Sequence, residues 1–163
     1  MTASAKAVTF RAFKHVQRHL ATGLTRIVVC VDREARSECP GMFASAVRAE
    51  LAALMRQKKC AAGSVAVVVA DRAFEAWVLA DAEGLHARGV LKRAPKFSCF
   101  EGEPGKQGRV GKRELAELLD REYSETQDGP KLFAQIDVAA ARSHGPGKRG
   151  SRSFDKLLRE IGV

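Results

Sequence analysis

The sequence predicts a single α/β domain built around a small parallel β-sheet with helices on both faces. Two short apolar segments predict the strands, Ile27–Val31 and Val65–Ala70. Segments with apolar residues at helical spacing precede, separate and follow them. Helices that alternate with fully apolar strands are typical of parallel sheets buried on both faces. The 163 residues suit one domain with a sizeable core, so we assign residues 1–163 to one domain.

The first half of the chain alternates helix, strand, helix and strand. The stretch FRAFKHVQRHL predicts an amphipathic helix that Gly23 ends. The strand Ile27–Val31 is expected to be buried, with Cys30 as a reduced core thiol. The stretch MFASAVRAELAALMRQK predicts a second helix, entered at Pro40, before the strand Val65–Ala70.

The second half is predicted to be mostly helical. The stretch RAFEAWVLADAEGL predicts one helix, and residues 88–109 form a loop-rich insertion with room for a short strand at KFSCF. A helix over GKRELAELLDREY and a turn with a short helix over GPKLFAQIDVAAARSH follow. GPGKRG is expected to be a flexible basic loop. The closing stretch SRSFDKLLREI predicts a helix capped by Ser151 or Ser153.

The composition indicates a soluble protein with a bias toward polyanions. The formal net charge is +9, which favours nucleic acid as a partner, although an arginine-rich composition without such a partner explains it equally well. No segment has the roughly 18 apolar residues of a membrane span, so we expect no membrane partner. Four scattered cysteines without a CxxC pair, and no apolar leader, favour a reducing cytoplasm.

Two weaker patterns do not predict sites. The Gly-Lys pairs at Lys112 and Lys148 lack the remaining residues of a phosphate-binding P-loop. His15 and His19 have the spacing of zinc ligands on a helix, but Val16 stands where a zinc protease has its Glu. We interpret both patterns chiefly as ordinary loop, surface or core residues.

Carboxylates follow both predicted strands. Asp32 ends the first strand, Glu34 comes two residues later, Asp71 ends the second strand, and Glu75 lies on the helix after it. Sites in parallel α/β sheets form beyond the carboxyl ends of the strands, and Mg²⁺ prefers oxygen ligands. If the strands are neighbours, Asp32, Glu34 and Glu75 converge on a cation, while Asp71 faces either this site or the start of the next helix. The alternative is structural: Asp32 caps a turn, Glu34 is solvated, and Glu75 pairs with a nearby arginine, Arg33 or Arg72.

Three stretches together resemble a known family: IVVCVDRE, VAVVVADRAFEAWVLADAEGL and the closing RSFDKLLREI. They look like the Toprim-like proteins of domain-of-unknown-function family 4276, relatives of the nuclease domains of OLD proteins and RloB. The acid-x-acid pair of that pattern is matched by Asp32 and Glu34. Its Glu-x-Trp core is matched by Glu75-Ala76-Trp77, and its Ser-Phe by Ser153-Phe154.

The resemblance implies a Toprim-like fold and Mg²⁺- or Mn²⁺-dependent phosphodiester chemistry, in phage defence or mobile-element biology, often beside an ATPase encoded nearby. It implies that Asp32, Glu34 and Glu75 are catalytic residues and metal ligands, joined by Asp71 as a further ligand. Basic residues would neutralise phosphates: Arg33, Arg72, Lys112, Arg142, Lys148, Arg149 and Arg152. The sequence leaves DNA or RNA, and the oligomeric state, a homodimer included, open.

Two departures from the Toprim pattern bear on activity. Toprim proteins begin with a strand that ends in Glu, but no acidic residue precedes Asp32 here, so we expect that strand to be missing. Ala73 also stands where another acid is expected. The alternative to a nuclease is therefore a non-catalytic nucleic-acid-binding protein, or an ATPase-partner subunit, that keeps the fold without its chemistry.

Overall fold

The computed structural model describes residues 4–33, 36–70, 74–96, 111–142 and 150–163. Within these ranges the chain has a mixed α/β structure, with a parallel two-stranded sheet and several helices. It divides into two compact units. Unit 1 comprises residues 1–69 and 159–163, and unit 2 comprises residues 70–158. The mixed α/β class predicted from the sequence is confirmed.

The predicted order of the first four elements is confirmed. They are α1 (Ala5–Ala21), β1 (Arg26–Asp32), α2 (Pro40–Gln57) and β2 (Ser64–Ala70), of which the last residue is counted with unit 2. The hydroxyl of Ser4 caps α1 by accepting a 3.3 Å hydrogen bond from the Ala7 amide. The chain leaves α1 through Gly23, whose φ of +88° favours glycine, as the sequence predicted.

The register of the sheet is visible where the two strands begin. The Ser64 amide donates a 2.8 Å hydrogen bond to the carbonyl of Thr25, the residue just before β1. Gly63 is required there because a Cβ would overlap the Leu20 side chain and crowd the Thr25 carbonyl. The two strands therefore start side by side and end at the same edge of the sheet.

The core of unit 1 lies between the sheet and the helices α1 and α2. Val47 and Leu51 of α2 have no exposed surface, and Val16 of α1 is 2% exposed. From β1, Ile27, Val29 and Val31 pack against this core. Burying an aliphatic side chain of this size contributes about 1.5–3 kcal/mol, so this face holds unit 1 together.

The prediction that Ile27–Val31 is a fully buried strand is wrong. All five residues are strand, but none is buried, and Cys30 is exposed, so it is no core thiol. The physical reason is the alternation of side chains along a strand: Ile27, Val29 and Val31 face the helices, while Cys30 and Asp32 belong to the other face. On that other face β2 differs from β1, since Val68 is fully buried.

Apart from Ala70, the last residue of β2, the regular secondary structure among the described residues of unit 2 is helical. Its helices are α3 (Glu75–Leu79), α4 (Ala82–Ala87), α5 (Gly111–Leu119), α6 (Asp128–Phe133), α7 (Val138–Arg142) and α8 (Arg152–Ile161), the last three residues of α8 being counted with unit 1. Its core includes Val78, Leu85 and Leu115, none with exposed surface. Residues 97–110 and 143–149, with most of KFSCF and GPGKRG, lie outside the described residues.

The single helix predicted over RAFEAWVLADAEGL is instead two helices, α3 and α4, which break at Asp81. Asp81 leaves helical geometry with φ −113° and ψ 26°. Its buried carboxylate accepts hydrogen bonds from the Asp137 amide at 2.6 Å and from the Arg88 guanidinium at 2.7 Å. These contacts lie 56 and seven residues away, so the apolar pattern alone does not reveal the break.

The ends of α5 and α8 are also defined. α5 ends at Leu119 rather than reaching Tyr123, because Asp120 adopts a φ of +58°. α8 begins where the Ser151 hydroxyl accepts a 3.0 Å hydrogen bond from the Phe154 amide, which selects Ser151 over Ser153 as the cap. None of the described helices combines the length and apolar character needed to cross a bilayer.

Candidate functional site

Asp32 is an exposed carboxylate at the carboxyl end of β1. The guanidinium of Arg36 donates 2.8 Å hydrogen bonds to the backbone carbonyls of Asp32 and Arg33. The same guanidinium lies 4.4 Å from the centroid of the Phe43 ring, which is almost completely buried. Because Arg36 is held against Phe43, it fixes the backbone carbonyls of Asp32 and Arg33 at the end of β1.

The charge of Asp32 affects the pKa of Cys30, its neighbour on β1. Cys30 lies two residues earlier on the same face of β1. The residue as a whole is exposed, but surrounding atoms desolvate its thiol enough to raise the pKa, and the negative charge of Asp32 raises that pKa further. Cys30 is therefore a weak nucleophile at neutral pH.

Asp32 is one of three predicted ligands at this edge of the sheet. β1 and β2 run parallel and end at the same edge, and Asp71 is the residue that follows β2 in the sequence. Glu34 and Asp71 both lie outside the described residues. Of the predicted cluster at this edge, Asp32 is the member that the structure describes.

Glu75 opens α3 in unit 2 and is buried, with 4% of its surface exposed. Gly111, the first residue of α5, lies directly against it: a Cβ on Gly111 would be 2.6 Å from the Glu75 Cβ. That is far inside van der Waals contact, so the close approach of α3 and α5 requires glycine at position 111. The sequence patterns did not assign Gly111 this role.

Tyr123 is the second neighbour of Glu75. Burial raises the pKa of the Tyr123 phenol well above its usual range, and the Glu75 charge and a hydrogen-bonding interaction with its carboxylate raise the pKa further. The buried Tyr123 oxygen has no hydrogen-bond partner of standard geometry among the described residues, so the charge of Glu75 is the stronger of its two effects. A Cβ on Gly129 would be 3.0 Å from the same oxygen. Glu75 and Tyr123 thus form a buried acidic pair in unit 2.

The residues of the Glu-x-Trp and Ser-Phe patterns meet in unit 2. The indole Nε1 of Trp77 donates a 2.8 Å hydrogen bond to the Ser153 hydroxyl. The Phe154 ring lies 6.0 Å from the Trp77 ring and 5.9 Å from the Phe133 ring, centroid to centroid. Phe74 packs edge-on against Trp77 at 5.7 Å. These contacts join α3, α6 and α8 into one aromatic cluster.

Two further buried acids of unit 2 are satisfied by arginine. Asp81, the acid of Leu79-Ala80-Asp81, is bound to Arg88. Asp128 accepts two 2.8 Å hydrogen bonds from the Arg121 guanidinium and one of 2.9 Å from the Ser124 amide. The Arg121 hydrogen bonds, with that amide, hold the pKa of Asp128 far below its usual range. Both carboxylates therefore stabilise local structure.

The predicted phosphate-binding residues have different surroundings. Lys112 is paired with Glu125 at 2.5 Å and Arg142 with Asp155 at 3.1 Å. Arg152 is exposed on α8, whereas Arg33, after β1, is partly buried. Arg72, Lys148 and Arg149 lie outside the described residues. Phosphate binding by Lys112 or Arg142 would have to compete with an existing ion pair.

The fit of a divalent cation follows from these positions. Among the described residues there is no group of three His, Cys, Asp or Glu side chains that could hold a metal. Asp32 fits as an exposed oxygen donor, while Glu75 is buried beside Tyr123. Asp32 belongs to unit 1 and Glu75 to unit 2, so the convergence of all the carboxylates stays a prediction.

One known family matches almost the whole chain. The model of a family described as a domain of unknown function, DUF4276, matches residues 1–161. The chain belongs to this family. Neither the curated proteins nor the solved structures include a significant match to this chain. Membership of the family confirms the part of the resemblance that names it, and its description assigns no activity.

Proposed function

We propose that this DUF4276 chain binds nucleic acid and acts on phosphodiester bonds with Mg²⁺ or Mn²⁺ at the carboxyl edge of its sheet. One observation carries the proposal: the parallel pair β1–β2 ends in an exposed carboxylate, Asp32, whose backbone carbonyl is held by Arg36. The carboxyl ends of parallel strands are where α/β proteins place their sites.

In this proposal Asp32 and Glu34 hold the ion, and Asp71, the residue that follows β2 in the sequence, is a further ligand. Glu75 completes or orients the set. A bound divalent ion would stabilise the charge that develops on the phosphoryl oxygens during in-line displacement. Arg33, Arg72, Lys112, Arg142, Lys148, Arg149 and Arg152 would neutralise phosphates in the bound strand.

The charge of unit 1 supports a nucleic-acid partner. Unit 1 has 12 basic and five acidic residues, whereas unit 2 has 16 basic and 14 acidic residues. The positive charge is thus concentrated in the unit that carries Asp32. A field of this sign attracts phosphates and raises the rate of encounter with nucleic acid.

The finer assignments belong to the same proposal. A Toprim-like fold, kinship with OLD-type and RloB nucleases, a role in phage defence, and an ATPase partner encoded nearby all derive from the resemblance of the strand-end acids and the Glu-x-Trp helix. They predict a protein that works on DNA or RNA beside an ATPase.

The test is nucleic-acid cleavage by the purified chain. Supercoiled plasmid and single-stranded RNA are incubated with Mg²⁺ or Mn²⁺ and with an Asp32→Ala/Glu34→Ala double variant. The matched control is Glu50→Ala/Glu122→Ala, which removes the same charge at exposed positions. We expect divalent-dependent nicking that the first variant loses and the control keeps. Nicking that persists in Asp32→Ala/Glu34→Ala would show that the assignment is wrong.

A second candidate function is nucleic-acid binding without cleavage, alone or as a subunit of an ATPase-linked complex. It is favoured by the burial of Glu75, which leaves this carboxylate little access to a cation in solvent. It predicts binding with a steep salt dependence and no cleavage with any divalent ion. Divalent-dependent cleavage that requires Asp32 would exclude it.

A further inference from the structure

A groove of about 330 Å³ opens on unit 1 along the second half of α2 and the loop into β2. Its floor is apolar and includes Ala52, Met55 and Val65. Its rim is basic, formed by Arg48, Arg56 and Lys59, all exposed. None of the residues that line the groove belongs to the predicted carboxylate site, so the groove is a separate feature.

The charges on this rim are available to a ligand. No acidic residue lines the groove, and no ion pair or hydrogen bond within the described ranges involves the side chain of Arg48, Arg56 or Lys59. Arg48 and Arg56 lie eight residues apart on α2, which places their backbones about 12 Å apart along the helix axis. Two guanidiniums at that spacing can contact two separate phosphates of one strand rather than a single phosphate group.

The groove lies away from the carboxylate edge. Gly63 and Val65, which line it, are at the amino end of β2, whereas Asp32 is at the carboxyl end of β1. The two strands run parallel from a common start, and seven strand residues span roughly 20 Å. A ligand in the groove and a cation at Asp32 would therefore occupy opposite edges of the sheet.

We propose that this groove binds the sugar-phosphate backbone of a nucleic-acid strand. Arg48, Arg56 and Lys59 contact phosphates, and the apolar floor at Ala52, Met55 and Val65 packs against sugars. The spacing of the cations along α2 and the open form of the groove favour a strand over a small phosphorylated molecule. The site shares its ligand class with the proposed function but requires neither a metal nor Asp32.

The first test measures binding of a fluorescent oligonucleotide by anisotropy in EDTA, at several salt concentrations, with single-stranded and duplex probes. The variant is Arg48→Gln/Arg56→Gln/Lys59→Gln. The matched control is Lys6→Gln/Arg11→Gln/Lys14→Gln, which removes the same charge from exposed positions of α1. Circular dichroism verifies that both variants are folded.

The slope of log K against log salt is negative, and each lost phosphate contact reduces its magnitude by about 0.7–0.9. We expect the groove variant to reduce this magnitude by about 2 and the control to leave it nearly unchanged. Equal losses in both variants, or an unchanged slope in the groove variant, would overturn the proposal. Because EDTA removes divalent ions, failure of the metal-dependent function leaves this result unaffected.

A second test uses the unmodified protein. Cys60 lines the groove and is a free thiol, so a bound strand should slow its alkylation, which mass spectrometry can follow at that residue. Adenosine monophosphate at the oligonucleotide's concentration should not restore the rate. Unchanged alkylation of Cys60 at saturating oligonucleotide would contradict the proposal. Displacement by the mononucleotide would contradict the assignment to a strand.

Discussion

Trp77 donates a 2.8 Å hydrogen bond from its indole nitrogen to the hydroxyl of Ser153, 76 residues further along the chain. Both residues belong to the patterns that carry the family resemblance. Phe154, which is 1% exposed, packs on the same indole. These residues therefore stabilise unit 2 by direct contact, and they support the neighbouring Glu75 by fixing α3.

Replacing Ser153 by Ala tests this contact. The change leaves the buried indole N–H without its acceptor, which should lower the free energy of unfolding by about 1–3 kcal/mol. Denaturant unfolding measures the loss, and the fluorescence of Trp77, the single tryptophan, reports the local change. Ser45→Ala, at an exposed position of α2, should have little effect. Equal stability of Ser153→Ala and the wild type would refute a stabilising role for the bond.

Gly111→Ala tests the close approach of α3 and α5. The new Cβ would be 2.6 Å from the Glu75 Cβ, so one helix must shift, at a cost of about 1–3 kcal/mol. Gly41→Ala is the matched control, because Gly41 also lies at a helix start and a Cβ there meets no atom closer than 3.9 Å. Thermal unfolding should show a loss for Gly111→Ala alone. A stabilised Gly111→Ala protein would contradict the packing described for Glu75.

The ionisation of Tyr123 tests its proximity to Glu75. Tyr123 is the single tyrosine, so the ultraviolet absorbance of the phenolate reports its pKa directly. Burial and the Glu75 charge raise that pKa, so the phenol should titrate above the usual value of about 10. Because the pKa of Tyr123 is raised in the folded state, folding favours the neutral phenol. The stability that this preference contributes is fully present below the pKa of the unfolded chain and is lost as pH rises from that value through the folded pKa.

Glu75→Gln should lower the pKa of Tyr123, since it removes a negative charge. Glu117→Gln, exposed on α5, should not. If the phenol of the folded wild type titrated at or below its usual value, Glu75 and Tyr123 would not be neighbours.

Arg121→Gln tests the buried Asp128 by its dependence on pH. Arg121 depresses the pKa of Asp128, so the folded state keeps the carboxylate ionised where the unfolded chain, with a pKa of about 3.9, binds a proton. The stability from the pair is therefore fully present above that value and lost as pH falls toward the folded pKa. The melting temperatures of the wild type and Arg121→Gln should differ by a constant amount between about pH 5 and 7. Below about pH 4 this difference should shrink as pH falls. A difference that stayed constant at pH 3 would contradict this role of the pair.

Local patterns were enough to predict the strands and most helices. Ile27–Val31 and Val65–Ala70 are strands because their apolar β-branched residues pack against helices, a preference encoded in short stretches. Burial was harder to predict: Cys30 looked like a core residue within an apolar run, but its face of β1 is not covered as that of Val68 is on β2. An apolar run does not reveal which strand face is packed.

Contacts between distant residues could not be predicted from spacing. The break at Asp81 depends on Asp137, and the surroundings of Glu75 depend on Gly111 and Tyr123. No local signal marks Gly111, because glycine is an ordinary residue at the start of a helix whether or not a neighbour packs against it. Asp32, by contrast, was found from position alone, because it follows a strand.

The most direct measurement is divalent-cation binding at Asp32 by isothermal titration calorimetry with Mn²⁺. The wild type should bind Mn²⁺ at a saturable site, and Asp32→Asn should lose that site because it removes the exposed carboxylate at the end of β1. Asp120→Asn, the same substitution at another exposed aspartate, should bind Mn²⁺ as the wild type does. Identical Mn²⁺ binding by the wild type and Asp32→Asn would contradict a metal site at the carboxyl edge of the sheet.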